Sequence, residues 1–132
     1  MPGQEMVATL LLVTGLLYTL GVGAQGPVDD FCISCICQDG CGMTYNYWID
    51  AGRPTVQGDY AAANYAYENC ANEYECSSRA IQNYMFRYQR DCNNDGKIDC
   101  YDHASIHRLG SDACGGNIPQ DYRFQIESCY GT

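Results

Sequence analysis

Lysine is nearly missing from this chain of 132 residues: Lys97 is the only one, and the other six cations are arginines. Against them stand sixteen Asp and Glu, for a formal net charge of −9. That balance excludes nucleic acid as a partner and argues against charge-driven attraction to anionic membranes or bacterial walls. Tryptophan occurs once, at Trp48, and no Asn-x-Ser/Thr acceptor for N-glycosylation is present. Only one long apolar run occurs, at residues 6–22 (MVATLLLVTGLLYTLGV), so a protein with several spans is excluded.

That run has the makings of an export signal. It is uncharged, and Val22-Gly23-Ala24 supplies small residues for cleavage before Gln25. The segment before it carries Glu5 and no Lys or Arg, which is off-pattern for a signal. A membrane anchor is the competing reading, but the run is somewhat short of the ~20 residues a spanning helix needs. The expected organisation is therefore a signal peptide at 1–24 and one secreted domain at 25–132, extracellular, monomeric and free of the membrane after cleavage.

All ten cysteines lie beyond residue 24: Cys32, Cys35, Cys37, Cys41, Cys70, Cys76, Cys92, Cys100, Cys114 and Cys129. An even count behind an export signal implies five disulfides, although spacing alone leaves the pairing open. Cys32-x-x-Cys35 also has the spacing of zinc ligands, a weaker reading in a chain this dense in cysteine. Five bridges at ~2–4 kcal/mol each would outweigh the modest core that so short a chain buries.

Residues 31–41 hold cysteines too densely for a long helix, leaving room for one or two turns. Asp50-Ala51-Gly52-Arg53-Pro54 is turn chemistry. Asp59 is placed to cap an Ala- and Tyr-rich helix over 60–67. The clearest helix starts near Ser77 or Ser78, where Ala80, Ile81, Tyr84, Met85 and Tyr88 share one face. Arg79, Gln82, Asn83 and Arg87 then face outward, and Arg87 and Arg90 suit the negative end of the helix dipole. A short helix is expected from Tyr101 to Leu109, stopped by Gly110, and the rest, with Gly115-Gly116 and Pro119, reads as loop. The fold class is thus mainly α, small and disulfide-rich.

The most explicit chemical pattern is DCNNDGKIDCYD at residues 91–102. Asp91, Asn93, Asp95, Asp99 and Asp102 fall at positions one, three, five, nine and twelve of a calcium loop. Gly96 occupies the turn position, and Lys97 offers its carbonyl at seven. Ile98 is the apolar residue expected to anchor such a loop to the core. Asp102 stands where Glu is usual and is less able to bind bidentately, a departure that looks like dockerin loops. Cys92 and Cys100 lie inside the loop and could clamp it. The alternative is an acidic solvated turn held by disulfides.

Three further segments carry a family likeness: Cys32-Ile-Ser-Cys35-Ile-Cys37-Gln, then Tyr47-Trp48-Ile49-Asp50-Ala51-Gly52-Arg53-Pro54, then Ile81-Gln-Asn-Tyr84-Met85-x-Arg87-Tyr88. In this order they resemble the invertebrate-type lysozymes, which include the leech destabilases. The stretch from Asp91 to Gly110 looks like the version found in insects and other arthropods. The likeness runs from about Cys32 to Cys114 and implies hydrolysis of the β-1,4 glycosidic bond of peptidoglycan, in antibacterial defence or digestion.

The same resemblance implies a loss. The family's acid is a Glu in a Glu-Ser-Gly-Cys stretch just after the Cys-x-Cys, with an Asp partner about a dozen residues later. Here Cys37 is followed by QDGCGMTYNYW at residues 38–48. Roughly eighteen family residues are absent, both carboxylates among them. The resemblance places two family cysteines in the absent stretch and two more where Ala51 and Ala80 stand, so four are lost in all and the count stays even.

A retaining glycosidase needs two carboxyl groups about 5–5.5 Å apart, one kept protonated by an apolar pocket. Asp39 is the only carboxylate near the lost Glu, one methylene shorter and between two cysteines, and so a weak candidate. Asp50 matches a family position outside the catalytic pair. His107 matches the histidine to which the family's isopeptidase activity is attributed, but the serine lies in the absent stretch. His103 and His107, four apart on a helix, could share a metal, though a solvent-facing pair is the simpler expectation.

Two readings follow. In one, the chain is a non-catalytic relative that binds a bacterial cell-wall glycan or another extracellular protein, with calcium as its one structural cofactor. In the other, it is an active muramidase with a rearranged site.

Overall fold

The computed structural model describes residues 26–131, so the expected signal segment lies outside the described residues. Six helices follow in order: α1 Asp30–Ile36, α2 Tyr45–Asp50, α3 Ala66–Ala71, α4 Tyr74–Tyr88, α5 Cys100–Leu109 and α6 Gln120–Tyr130. The described residues contain no strand. Among them no helix is long and apolar enough to cross a membrane.

Short polar side chains start most of the helices. Asp29 accepts from Cys32 N at α1, Thr44 Oγ1 from Tyr47 N at α2, and Glu73 from Glu75 N and Cys76 N at α4. Asp99 and Asp102 form a reciprocal capping box at α5. Gly110 ends that helix with φ 85°, a conformation that would strain any residue bearing a Cβ. Val28, Ile33, Ile36, Trp48, Ile81, Met85, Ile106 and Ile126 are buried together with most of the cysteines. Helix α1 packs on α6, and α4 packs on α2 and α3.

Five disulfides knit these elements: Cys32–Cys100, Cys35–Cys129, Cys37–Cys41, Cys70–Cys76 and Cys92–Cys114. No cysteine is free, and Cys32 and Cys35 join different helices rather than one zinc site. Ala51 and Ala80 are both buried in the core.

Several sequence expectations are corrected. Residues 60–65 form turns, and the helix there is α3, six residues starting at Ala66. Tyr60 and Tyr65 face solvent, so alanine propensity alone had no buried stripe to support it. Asp59 accepts instead from the Asn69 side chain at 3.0 Å. Helix α4 begins a turn earlier than Ser77, capped by Glu73, and Ser77 is buried with its hydroxyl donating to the Cys70 carbonyl. It ends at Tyr88, which leaves Arg90 outside it, bonded to the Ser111 carbonyl. The outward face of α4 fastens loops: Arg79 donates to Thr55 O, Asn83 to Ala51 O, Arg87 to Asp50 O, and Gln82 exchanges two bonds with Val28. The C-terminal region read as loop contains α6, whose single buried residue, Ile126, gave little periodic signal.

Candidate functional site: a groove beside the shortened loop

A hollow of about 660 Å³ runs between the Cys37–Cys41 loop and helix α6, with the end of α5 as its floor. The loop is short because Cys37 closes directly onto Cys41. Gly40 and Gly42 flank Cys41 at φ 95° and 69°, the left-handed backbone that turns the chain so tightly. Gln38, Asp39 and Thr44 form this wall. Asp121, Tyr122, Phe124 and Gln125 form the opposite one.

The far wall is held firmly. Gln125 donates through Nε2 to the Cys35 carbonyl at 2.8 Å, tying α6 to the end of α1. Tyr122 donates its hydroxyl to Ala104 O at 3.2 Å, and the Arg108 guanidinium lies 5.7 Å from its ring centroid. Burial pushes the Tyr122 phenol up, with Arg108 opposing, so it stays a neutral donor. Phe124, unlike Tyr122, is 71% exposed at the groove's edge.

His107 joins floor to near wall, its Nε2 bonded to the Cys41 carbonyl. A carbonyl only accepts, so Nε2 carries the proton and Nδ1 presents a lone pair, buried and without a partner. The ring stands edge-on to Tyr47 at 5.0 Å, and the Tyr47 hydroxyl is likewise buried without a partner. Burial lowers the His107 imidazole; the Cys41 bond opposes this and Arg108 adds to it. His103 is also buried, 3.2 Å from Gln89 Oε1, and burial lowers it too. The expected solvent-facing pair is thus two inward-facing rings with separate partners.

Of the carboxylates sought, Asp39 lines the groove and is exposed; Asp121, which the sequence did not single out, also lines it and is exposed. Asp50 ends α2 away from the groove, on the surface.

The acidic loop lies outside the groove. Asp91 accepts from Asp95 N at 3.2 Å and Gly96 N at 2.8 Å, Asn93 from Asp95 N, and Asp95 from Lys97 N. Oxygens of Asp91, Asp95 and Asp102 lie within 4.8 Å of one another. Asp102 is buried and accepts from Cys92 N and Asp99 N, both at 2.8 Å. Burial raises its carboxyl, and those two bonds hold it back. Asp99 turns to the helix instead, accepting from Tyr101 N. Ile98 is 45% exposed and anchors nothing, because Cys92–Cys114 and Cys32–Cys100 already fix both ends of the loop.

The sequence profile of the destabilase family matches residues 30–129. This chain belongs to the destabilase family of invertebrate-type lysozymes. Its relatives include Lysozyme 1 of Crassostrea virginica, 33% identical over 83% of this chain and 65% of the oyster protein. Invertebrate-type lysozyme 3 of Caenorhabditis elegans is 29% identical over 92% of this chain and 99% of its own length. Among solved structures, the Meretrix lusoria lysozyme in complex with Aeromonas hydrophila PliI superposes with a TM-score of 0.62. It is 26% identical, covering 83% of this chain and 98% of that one. The alignment of this family member with the nematode protein spans 141 positions, yet uses 92% of 132 residues, or about 121. The nematode protein therefore has about twenty residues with no counterpart here.

Proposed function

We propose that this chain is a secreted, non-catalytic member of the lysozyme family that binds a glycan in the groove without cleaving it. The observation that carries this reading is the composition of the groove. Its two carboxylates, Asp39 and Asp121, are both exposed, so neither sits in the apolar enclosure that a general acid of this chemistry needs. The twenty or so unmatched positions agree in size with the stretch that carries the family's Glu and Asp. The groove nevertheless stays open, with aromatic side chains on α6 and hydrogen-bonding side chains on both walls. A protein occupant is the second reading, favoured by the clam lysozyme having been solved in complex with PliI. Ten cysteines, all paired, support an oxidising, extracellular location, and the apolar run at 6–22 supports an export signal cleaved after Ala24.

The test is a cell-wall turbidity assay beside a sedimentation assay on insoluble peptidoglycan and chitin. Retention on at least the uncharged solid, chitin, with no clearing of cell walls from about pH 4 to 8 is expected. Clearing that Asp39→Asn abolishes would instead make this an active muramidase with Asp39 as its acid.

We also propose that the loop at 91–102 holds a structural calcium ion. Three converging carboxylates, Asp91, Asp95 and Asp102, suit a hard cation, and Lys97 would add its carbonyl. Asn93 remains a candidate, whereas Asp99 is committed to capping α5. Because both Asp102 oxygens already accept backbone N–H groups, its bond to the ion is expected through one oxygen.

A further inference from the structure

We propose that the groove selects a cationic glycan, a β-1,4-linked glucosamine oligosaccharide bearing free amines, over acetylated or anionic ones. The proposal rests on the glycan-binding reading above and names the class of ligand.

The first observation is Phe124. It is among the most exposed large apolar residues described, and it stands on α6 at the edge of the groove. Ile126, two residues on, is fully buried, and Gln125 between them is bonded to α1, so the ring is presented from a fixed backbone. An exposed aromatic face beside a groove is suited to stacking on the apolar face of a pyranose ring.

The second observation is charge. Exposed Asp39 and Asp121 are the two carboxylates lining the groove, while its one guanidinium, Arg108, lies against the Tyr122 ring. His107 adds no positive charge at neutral pH, since burial keeps it neutral. The field of the whole chain, net −9, has the same sign as these two carboxylates. A polymer carrying carboxylates on peptide or lactyl groups would meet like charge at every approach, whereas protonated amines would be drawn in and paired. The hydroxyl of Thr44 and the amide of Gln38 remain for ring hydroxyls.

Isothermal titration of the intact, disulfide-bonded protein with matched tetrasaccharides tests this. The probes are fully N-acetylated, fully deacetylated, and a peptidoglycan-derived muropeptide. The deacetylated probe should bind roughly three- to tenfold more tightly than the acetylated one at low salt, as two exposed charge pairs allow. The difference should vanish at high salt and in Asp39→Asn/Asp121→Asn. Phe124→Ala should weaken the acetylated and deacetylated probes alike, with an unchanged circular dichroism spectrum. Acetylated or muropeptide probes binding as well as the deacetylated one would overturn the cationic preference and leave glycan binding standing. No binding by any probe would overturn both.

Discussion

His107 donates its Nε2–H to the backbone carbonyl of Cys41, so one imidazole fastens the shortened loop to helix α5 and sets one wall of the groove. Burial holds this ring and that of His103 below the ordinary imidazole range, so the unfolded chain takes up protons before the native one does. Their stabilising contribution is complete above about pH 6.5 and falls away as pH drops through that value. Asp102 acts oppositely: burial disfavours its ionised form, and that penalty lifts as pH falls through its raised value. Melting temperature should decline between about pH 7.5 and 5.5, and His107→Gln, which still offers a donor to Cys41, should flatten the decline. An unchanged slope in that variant would show that His107 plays no part.

The acidic loop makes a second prediction. A cation on Asp91, Asp95 and Asp102 would offset the repulsion of three carboxylates whose oxygens meet within 4.8 Å. Calcium at a hundred times its dissociation constant would add ~2.7 kcal/mol if it binds only the folded chain. Melting temperature should rise with millimolar calcium, much less with magnesium, and not at all in Asp95→Ala. Identical curves in calcium and in chelator would leave the loop an acidic turn.

The disulfides should differ in worth according to the chain they close. On loop entropy alone, Cys35–Cys129, with a separation of 94, is worth about 4–5 kcal/mol, and Cys92–Cys114, with 22, about 3 kcal/mol. Cys37–Cys41, with 4, comes to about 2 kcal/mol. Paired Cys→Ala variants compared by denaturant unfolding should follow that order, and thiol titration of the denatured, unreduced protein should find no free sulfhydryl.

Helix α6 depends on one residue. Ile126→Ala should cost about 2–5 kcal/mol, because it empties the only fully buried position of that helix. Since α6 also presents Phe124 and Gln125, proteolysis or amide exchange in this variant should locate the loosening at one wall of the groove.

Much of this was legible in the residues, and the misses have physical causes. The buried face of α4, the α5 helix and its Gly110 stop follow from period and cap chemistry, and both were found. The family was legible because its motifs stand in order along most of the matched residues 30–129. Helix α6 escaped because a helix covered mainly on one spot has almost no periodic stripe. Polarity points His103 and His107 to solvent, but His103 is buried and His107 partly buried, each beside an acceptor from another segment, Gln89 and the Cys41 carbonyl. Phe124 carried no signal at all, since a lone exposed aromatic acquires meaning only beside the groove it borders.

The bridge from Cys35 to Cys129 turns most of the molecule into a closed covalent ring. A protease that cuts any one peptide bond between those residues opens the ring without dividing it. Both ends of the break stay attached through the sulfurs, the nicked protein keeps its mass on a non-reducing gel, and the severed strands remain close enough to stay folded. Exposed turns such as 57–62 can therefore be nicked without releasing a fragment, and a second cut or a reductant is needed before any part of the chain is lost.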